Sequence, residues 1–174
     1  MTNERCTIRN TRKPRGFEVI AGDGQVLAAM HQPRFFSRDM EGTIKDGAVR
    51  IVSEGFWRMR YGVFLDEARA GTISTAALGQ LKWALSLAEQ PLVELRFTTV
   101  GPWHRRYQLR VTKDHPLLKV VPKFHWATFS TTYTVEILGA GISADQMPLM
   151  LVLAGFSANL KRARAQAAGA AAGA

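Results

Sequence analysis

The stretch Asp145–Leu160, DQMPLMLVLAGFSANL, carries no charge from Met147 to Phe156, and its apolar residues cover every side of a helical wheel. A helix lying on a protein surface shows one apolar stripe, whereas a helix that is apolar all round is buried on all sides. At about 1.5 Å per residue the stretch spans roughly 24 Å, and its apolar part falls short of the ~20 residues that cross a bilayer. It reads as a core helix that something must surround, with a membrane anchor as the alternative. Asp145 is the expected N-cap, because it puts Pro148 within the first turn, where no amide donor is missed. Lys161, Arg162 and Arg164 follow at the C-terminal end, where positive charge complements the helix dipole.

What surrounds the helix is written in the preceding residues as period-two alternation. Trp57, Met59, Tyr61, Val63 and Leu65 alternate with Arg58, Arg60, Gly62, Phe64 and Asp66. The same grammar recurs at Val93–Phe97, at Arg106–Thr112 and, with frequent β-branched residues, at Thr132–Leu138. Shorter strands are expected at Gly16–Ile20, Gln25–Met30, Arg34–Arg38, Gly42–Lys45, Ala48–Ser53, Leu117–Val121 and His125–Ser130. Gly-rich turns at Ala21–Gly24 and Asp46-Gly47 mark hairpins. Ala76–Ala88 is ambiguous, since Leu81, Trp83, Leu85 and Leu87 alternate while the same segment is rich in helix formers.

About twelve one-faced strands need cover, and the only confident helix is apolar on all sides. A mainly β, antiparallel, closed barrel around that helix satisfies both demands and removes exposed sheet edges. Eight strands are already filled by their own side chains, so about twelve leave room for a helix. A sandwich, or an open sheet with the helix on one face, is the alternative. The expected organisation is a basic lead at 1–15, the barrel at 16–164 with its helix at 145–163, and a disordered Ala/Gly tail at 165–174.

The strand-turn texture of GTIKDGAVRIVSEGFWRMRYGVFLD (42–66) and the helix MPLMLVLAGF (147–156) resemble the tubby C-terminal-like superfamily. That superfamily groups tubby domains, plant LURP-one-related proteins and phospholipid scramblases. The resemblance spans roughly Phe17 to Leu160 and implies a twelve-stranded barrel around a central hydrophobic helix. It rests on the order of elements, so no family binding residue is carried over.

Charge is uneven. The net +9 places +4 on residues 1–15, through Arg5, Arg9, Arg12, Lys13 and Arg15 against Glu4, and +3 on residues 161–174. Clustered basic charge attracts phosphates of lipid or nucleic acid. Together with Arg105, Arg106 and Arg110, the residues Arg12, Lys13, Arg15, Lys161, Arg162 and Arg164 are the expected contacts for anionic phospholipid headgroups or a protein partner. Nucleic acid is a weaker alternative, because most aromatics fall on inward-facing positions. Catalysis has little to stand on. His31, His104, His115 and His125 lack metal-ligand spacing, and Asp66-Glu67 reads as a turn. Cys6 has basic neighbours but lies near the chain end. A non-enzymatic binding domain without cofactor or metal is expected, and an enzyme of unrecognised type is the alternative. A single cysteine and no apolar run behind the basic N-terminus suit the cytoplasm, with peripheral membrane contact.

Overall fold

The computed structural model describes residues 5–34, 37–45, 47–55, 59–76, 79–86, 93–101, 106–111, 115–139 and 142–172. Twelve strands follow one another in sequence: β1 (Arg5–Arg12), β2 (Arg15–Ile20), β3 (Val26–His31), β4 (Met40–Ile44), β5 (Gly47–Glu54) and β6 (Arg60–Leu65), then β7 (Ala68–Thr75), β8 (Leu81–Leu85), β9 (Val93–Val100), β10 (Arg106–Arg110), β11 (Pro116–His125) and β12 (Ser130–Ile137). Each pairs antiparallel with its neighbours in sequence, and β1 pairs with β12, so the sheet is a closed barrel. One helix, α1 (Met147–Ala172), follows.

The alternation built the wall. In β8, Leu81, Trp83 and Leu85 are buried, with Trp83 facing Ile73 of β7 and Leu95 of β9, while Lys82 and Ala84 are less so. The ambiguous Ala76–Ala88 is thus a strand at its centre: burying three large side chains between two neighbours outweighs the modest helix propensity of its residues. Leu87 and Trp57 lie outside the described residues. Met59, expected inside, precedes β6 and is exposed, whereas Tyr61 and Val63 are fully buried.

Helix α1 enters the lumen beside the β4–β5 turn and leaves it after Leu160. From Leu149 to Ala158 every residue is buried, on all faces. That placement excludes the sandwich, the open sheet and the membrane anchor. Among the described residues no helix is long and apolar enough to cross a membrane. Three contacts key the helix to the wall. Gly155 sits against β1 and β2, where a Cβ would come within 2.8 Å of Phe17 Cε2 and 3.2 Å of Ile8 Cγ2. Trp83 Nε1 donates a buried hydrogen bond to Ser157 Oγ at 3.1 Å. Phe156 meets the Tyr61 ring edge-on, with centroids 5.0 Å apart.

The Tyr61 hydroxyl itself is buried without a hydrogen-bond partner among the described residues. A buried unpaired hydroxyl costs about 1–3 kcal/mol of desolvation. Tyr61→Phe is therefore expected to raise stability by about 1 kcal/mol in urea melts, and a clear loss of stability would show that the hydroxyl is bonded in solution.

Four boundaries differ from the sequence reading. The basic lead is strand β1, with Cys6 and Ile8 inward and Arg5, Thr7 and Arg9 outward. It is the strand that closes the barrel, and the outward arginines masked its alternation. The tail is helical to Ala172, because a packed helix needs no new nucleus to extend through alanines, the best helix formers. Asp145 is not the cap: the i→i+4 bonds that open the helix run from Met147 N to Ser143 O and from Met150 N to Gln146 O, and Asp145 instead faces Lys45 at 3.5 Å. Arg34, Ser37 and Arg38 belong to a link, not a strand, with Phe35 and Phe36 outside the described residues. Two further strands differ. β7 was not anticipated, being rich in small residues, and the segment expected as His125–Ser130 is the end of β11, a turn and the start of β12.

Candidate anion-binding site at the helix-exit end of the barrel

Four segments meet where α1 leaves the barrel. The β1–β2 turn carries Arg12 and Arg15 as facing residues, the β3–β4 link carries Gln32, Ser37 and Arg38, the β11–β12 hairpin carries Phe129, and the emerging helix carries Asn159, Arg162 and Gln166. They enclose a pocket of about 710 Å³, open to solvent. Phe17, Met40, Phe129 and Phe156 supply its apolar lining. Arg12, Arg15, Arg38 and Arg162 all line it, and among the described residues no carboxylate does. Each guanidinium offers five donors in a planar fork that matches phosphate or carboxylate oxygens. Four of them, with no acid among the described lining residues, form an arrangement chemically able to accept an anion.

A chain of polar side chains underlies this end. Tyr133 Oη donates to Asn159 Oδ1 (2.9 Å), Asn159 Nδ2 donates to Asn10 Oδ1 (2.8 Å), and Asn10 Nδ2 donates to the Thr131 carbonyl (2.8 Å). The chain ties helix, β1 and β12 together and fixes where Arg162 emerges. Gln32 Nε2 donates to the Ser37 carbonyl at 2.9 Å, which leaves its buried Oε1 without a partner among the described residues. Arg12 donates to the Thr128 carbonyl, linking the β1–β2 turn to the β11–β12 turn.

Burial, and after it the neighbouring Tyr107, push Tyr133 up to about 12, while the positive charge of Arg162 pulls the other way. A tyrosine in an unfolded chain titrates near 10. The neutral hydroxyl thus stabilises the fold fully below pH ~10, and that contribution is lost as pH rises through about 12. Between pH 10 and 12 the protein should lose on the order of 2–3 kcal/mol relative to Tyr133→Phe. Parallel urea melts of the two proteins across that range check it, and parallel curves would sink the assignment.

The other expected contacts disperse. Lys13 is exposed in the turn between Arg12 and Arg15. Lys161 donates to the Gly79 carbonyl at 2.7 Å, and Arg164 donates to Thr75 Oγ1 at 2.9 Å, so both moor the helix to the β7–β8 turn. Partial burial, and then the charge of Arg164, lower the Lys161 ammonium below the usual lysine range. Arg106 opens β10 at the same end of the barrel but outside the pocket, whereas Arg110 ends β10 at the opposite end and donates to Gln108 Oε1. Arg105 and His104 lie outside the described residues. Cys6 is buried in the wall, and His31, 3.5 Å from Glu41, lies far in sequence from His125, which is bonded to Thr132. Asp66 accepts from Ala48 N and Glu67 pairs with Arg50, as turn residues do. No group of metal-ligating side chains occurs among the described residues. The sequence reading missed Arg38, Gln32 and Asn159. The two arginines around Phe35-Phe36 were a visible signal, but only the folded link puts Arg38 opposite Arg12.

No family model and no curated protein sequence matches the chain. A crystal structure of an Arabidopsis thaliana protein is similar in fold, with a TM-score of 0.51 at 14% identity, covering 86% of this chain and 89% of that one. At that identity the likeness speaks for the fold alone.

Proposed function

We propose that this chain is a non-enzymatic, tubby-like binding domain that associates with anionic membrane phospholipids through the helix-exit end of its barrel. The observation that carries the reading is the convergence of Arg12, Arg15, Arg38 and Arg162 on one open pocket with no carboxylate among its described lining residues. Phosphate oxygens satisfy guanidinium forks, and basic residues near an anionic membrane surface contribute about 1 kcal/mol each. The buried Cys6 and the scattered histidines support binding over catalysis. An acidic protein surface would satisfy the same charges, and vesicles separate the two. Co-sedimentation with phosphatidylserine-containing vesicles, against pure phosphatidylcholine and across a salt series, tests the proposal. Strong binding to the anionic vesicles that weakens with salt is expected. Equal binding to both, or none to either, removes the phospholipid reading.

A further inference from the structure

Exposed aromatic side chains among the described residues are confined to one place, the tip of the β11–β12 hairpin. There Phe124 is 40% exposed, Trp126 76% and Phe129 72%. The rings lean on one another edge-to-face, Phe124 to Trp126 at 4.8 Å and Phe124 to Phe129 at 6.3 Å, so they form one apolar knob. Phe129 holds a left-handed backbone conformation, φ 48°, which bulky side chains rarely adopt. Glycine or asparagine would close the same turn at lower cost, so the exposed ring at that position carries weight beyond the turn itself.

The knob stands beside the arginine pocket. Phe129 lines the pocket, and Arg12 bonds to Thr128 within the turn. Arg12 and Arg15 line the pocket together with Phe129, Lys13 lies between those arginines in the β1–β2 turn, Lys123 precedes Phe124 in β11, and neither 123–131 nor 9–15 contains an acid. Aromatic side chains with a cationic collar match the interfacial layer of an anionic bilayer, where tryptophan rings settle at headgroup depth and apolar faces reach about 5–10 Å inward. Rings turned edge-on to each other offer no ladder of parallel faces for successive bases, which disfavours single-stranded nucleic acid.

We infer that the β11–β12 hairpin is a membrane-inserting wedge: Trp126 and Phe129 enter the interfacial layer of an anionic bilayer and hold the arginine pocket over the phosphates. This rests on the phospholipid reading and adds the depth and orientation of binding. Two measurements on the full chain test it. With anionic vesicles containing brominated-chain phosphatidylcholine, tryptophan quenching should be markedly weaker in Trp126→Phe than in the parent. In Trp126→Ser/Phe129→Ser, partitioning to phosphatidylserine-containing vesicles should fall by roughly 10-fold or more and remain depressed at high salt, where the arginine contribution is screened. Both side chains are largely exposed, so the melting temperature should stay near that of the parent. Sedimentation of the parent with identical quenching in both proteins, or with unchanged partitioning of the double variant, overturns insertion while leaving the phospholipid reading standing. Failure of the parent to sediment removes both. Capture of a soluble protein through these rings, without vesicle binding, would also overturn it.

Discussion

Leu151→Asp is expected to unfold the domain. Leu151 is fully buried in the lumen, among the residues of α1 that are covered on every side. Leucine truncation in a core already costs about 2–5 kcal/mol, and an uncompensated buried charge adds about 3–5. Together these rival the whole stability of an ordinary domain, about 5–15 kcal/mol. Leu151→Met, which keeps volume and apolarity, should cost less than about 1.5 kcal/mol. Circular dichroism melts of the three proteins provide the check. An aspartate variant melting within a few degrees of the parent would mean that α1 is not the core of the barrel in solution.

Removing the pocket charges is expected to abolish anionic vesicle binding while the fold survives. In Arg12→Gln/Arg15→Gln/Arg38→Gln/Arg162→Gln, four contributions of about 1 kcal/mol each are lost, a drop of roughly 100- to 1,000-fold in partitioning. Residual binding should lose most of its salt dependence. Arg110→Gln serves as control, because Arg110 sits at the opposite end of the barrel, and should change partitioning by less than about twofold. A quadruple variant that binds like the parent would move the site elsewhere on the surface.

Most of the wall was legible before folding, since alternation and burial are the same fact seen twice. Trp83 and Leu85 alternate with Lys82 and Ala84 because one set must fill a lumen and the other must face water. Where alternation was weak the reading failed. The small residues of β7 resemble a loop, and the arginines of β1 resemble a tail. Both became strands because a barrel must pair every edge, a demand of the whole sheet that no local stretch records.

The candidate site was legible as charge but not as place. Basic residues at both chain ends were visible in composition, yet their meeting required β1 to pair with β12 and α1 to thread the lumen from one end to the other. Threading put Arg162 beside Arg12 and Arg15, and turned Lys161 and Arg164 toward the β7–β8 turn. Local pattern suffices for a β wall and a helix that has to be buried, because periodicity and all-round apolarity act over neighbouring residues. Which arginines share a pocket, and that the aromatic knob stands beside them, follow from contacts between segments far apart in the chain, such as Arg12 with Thr128, which no local pattern records.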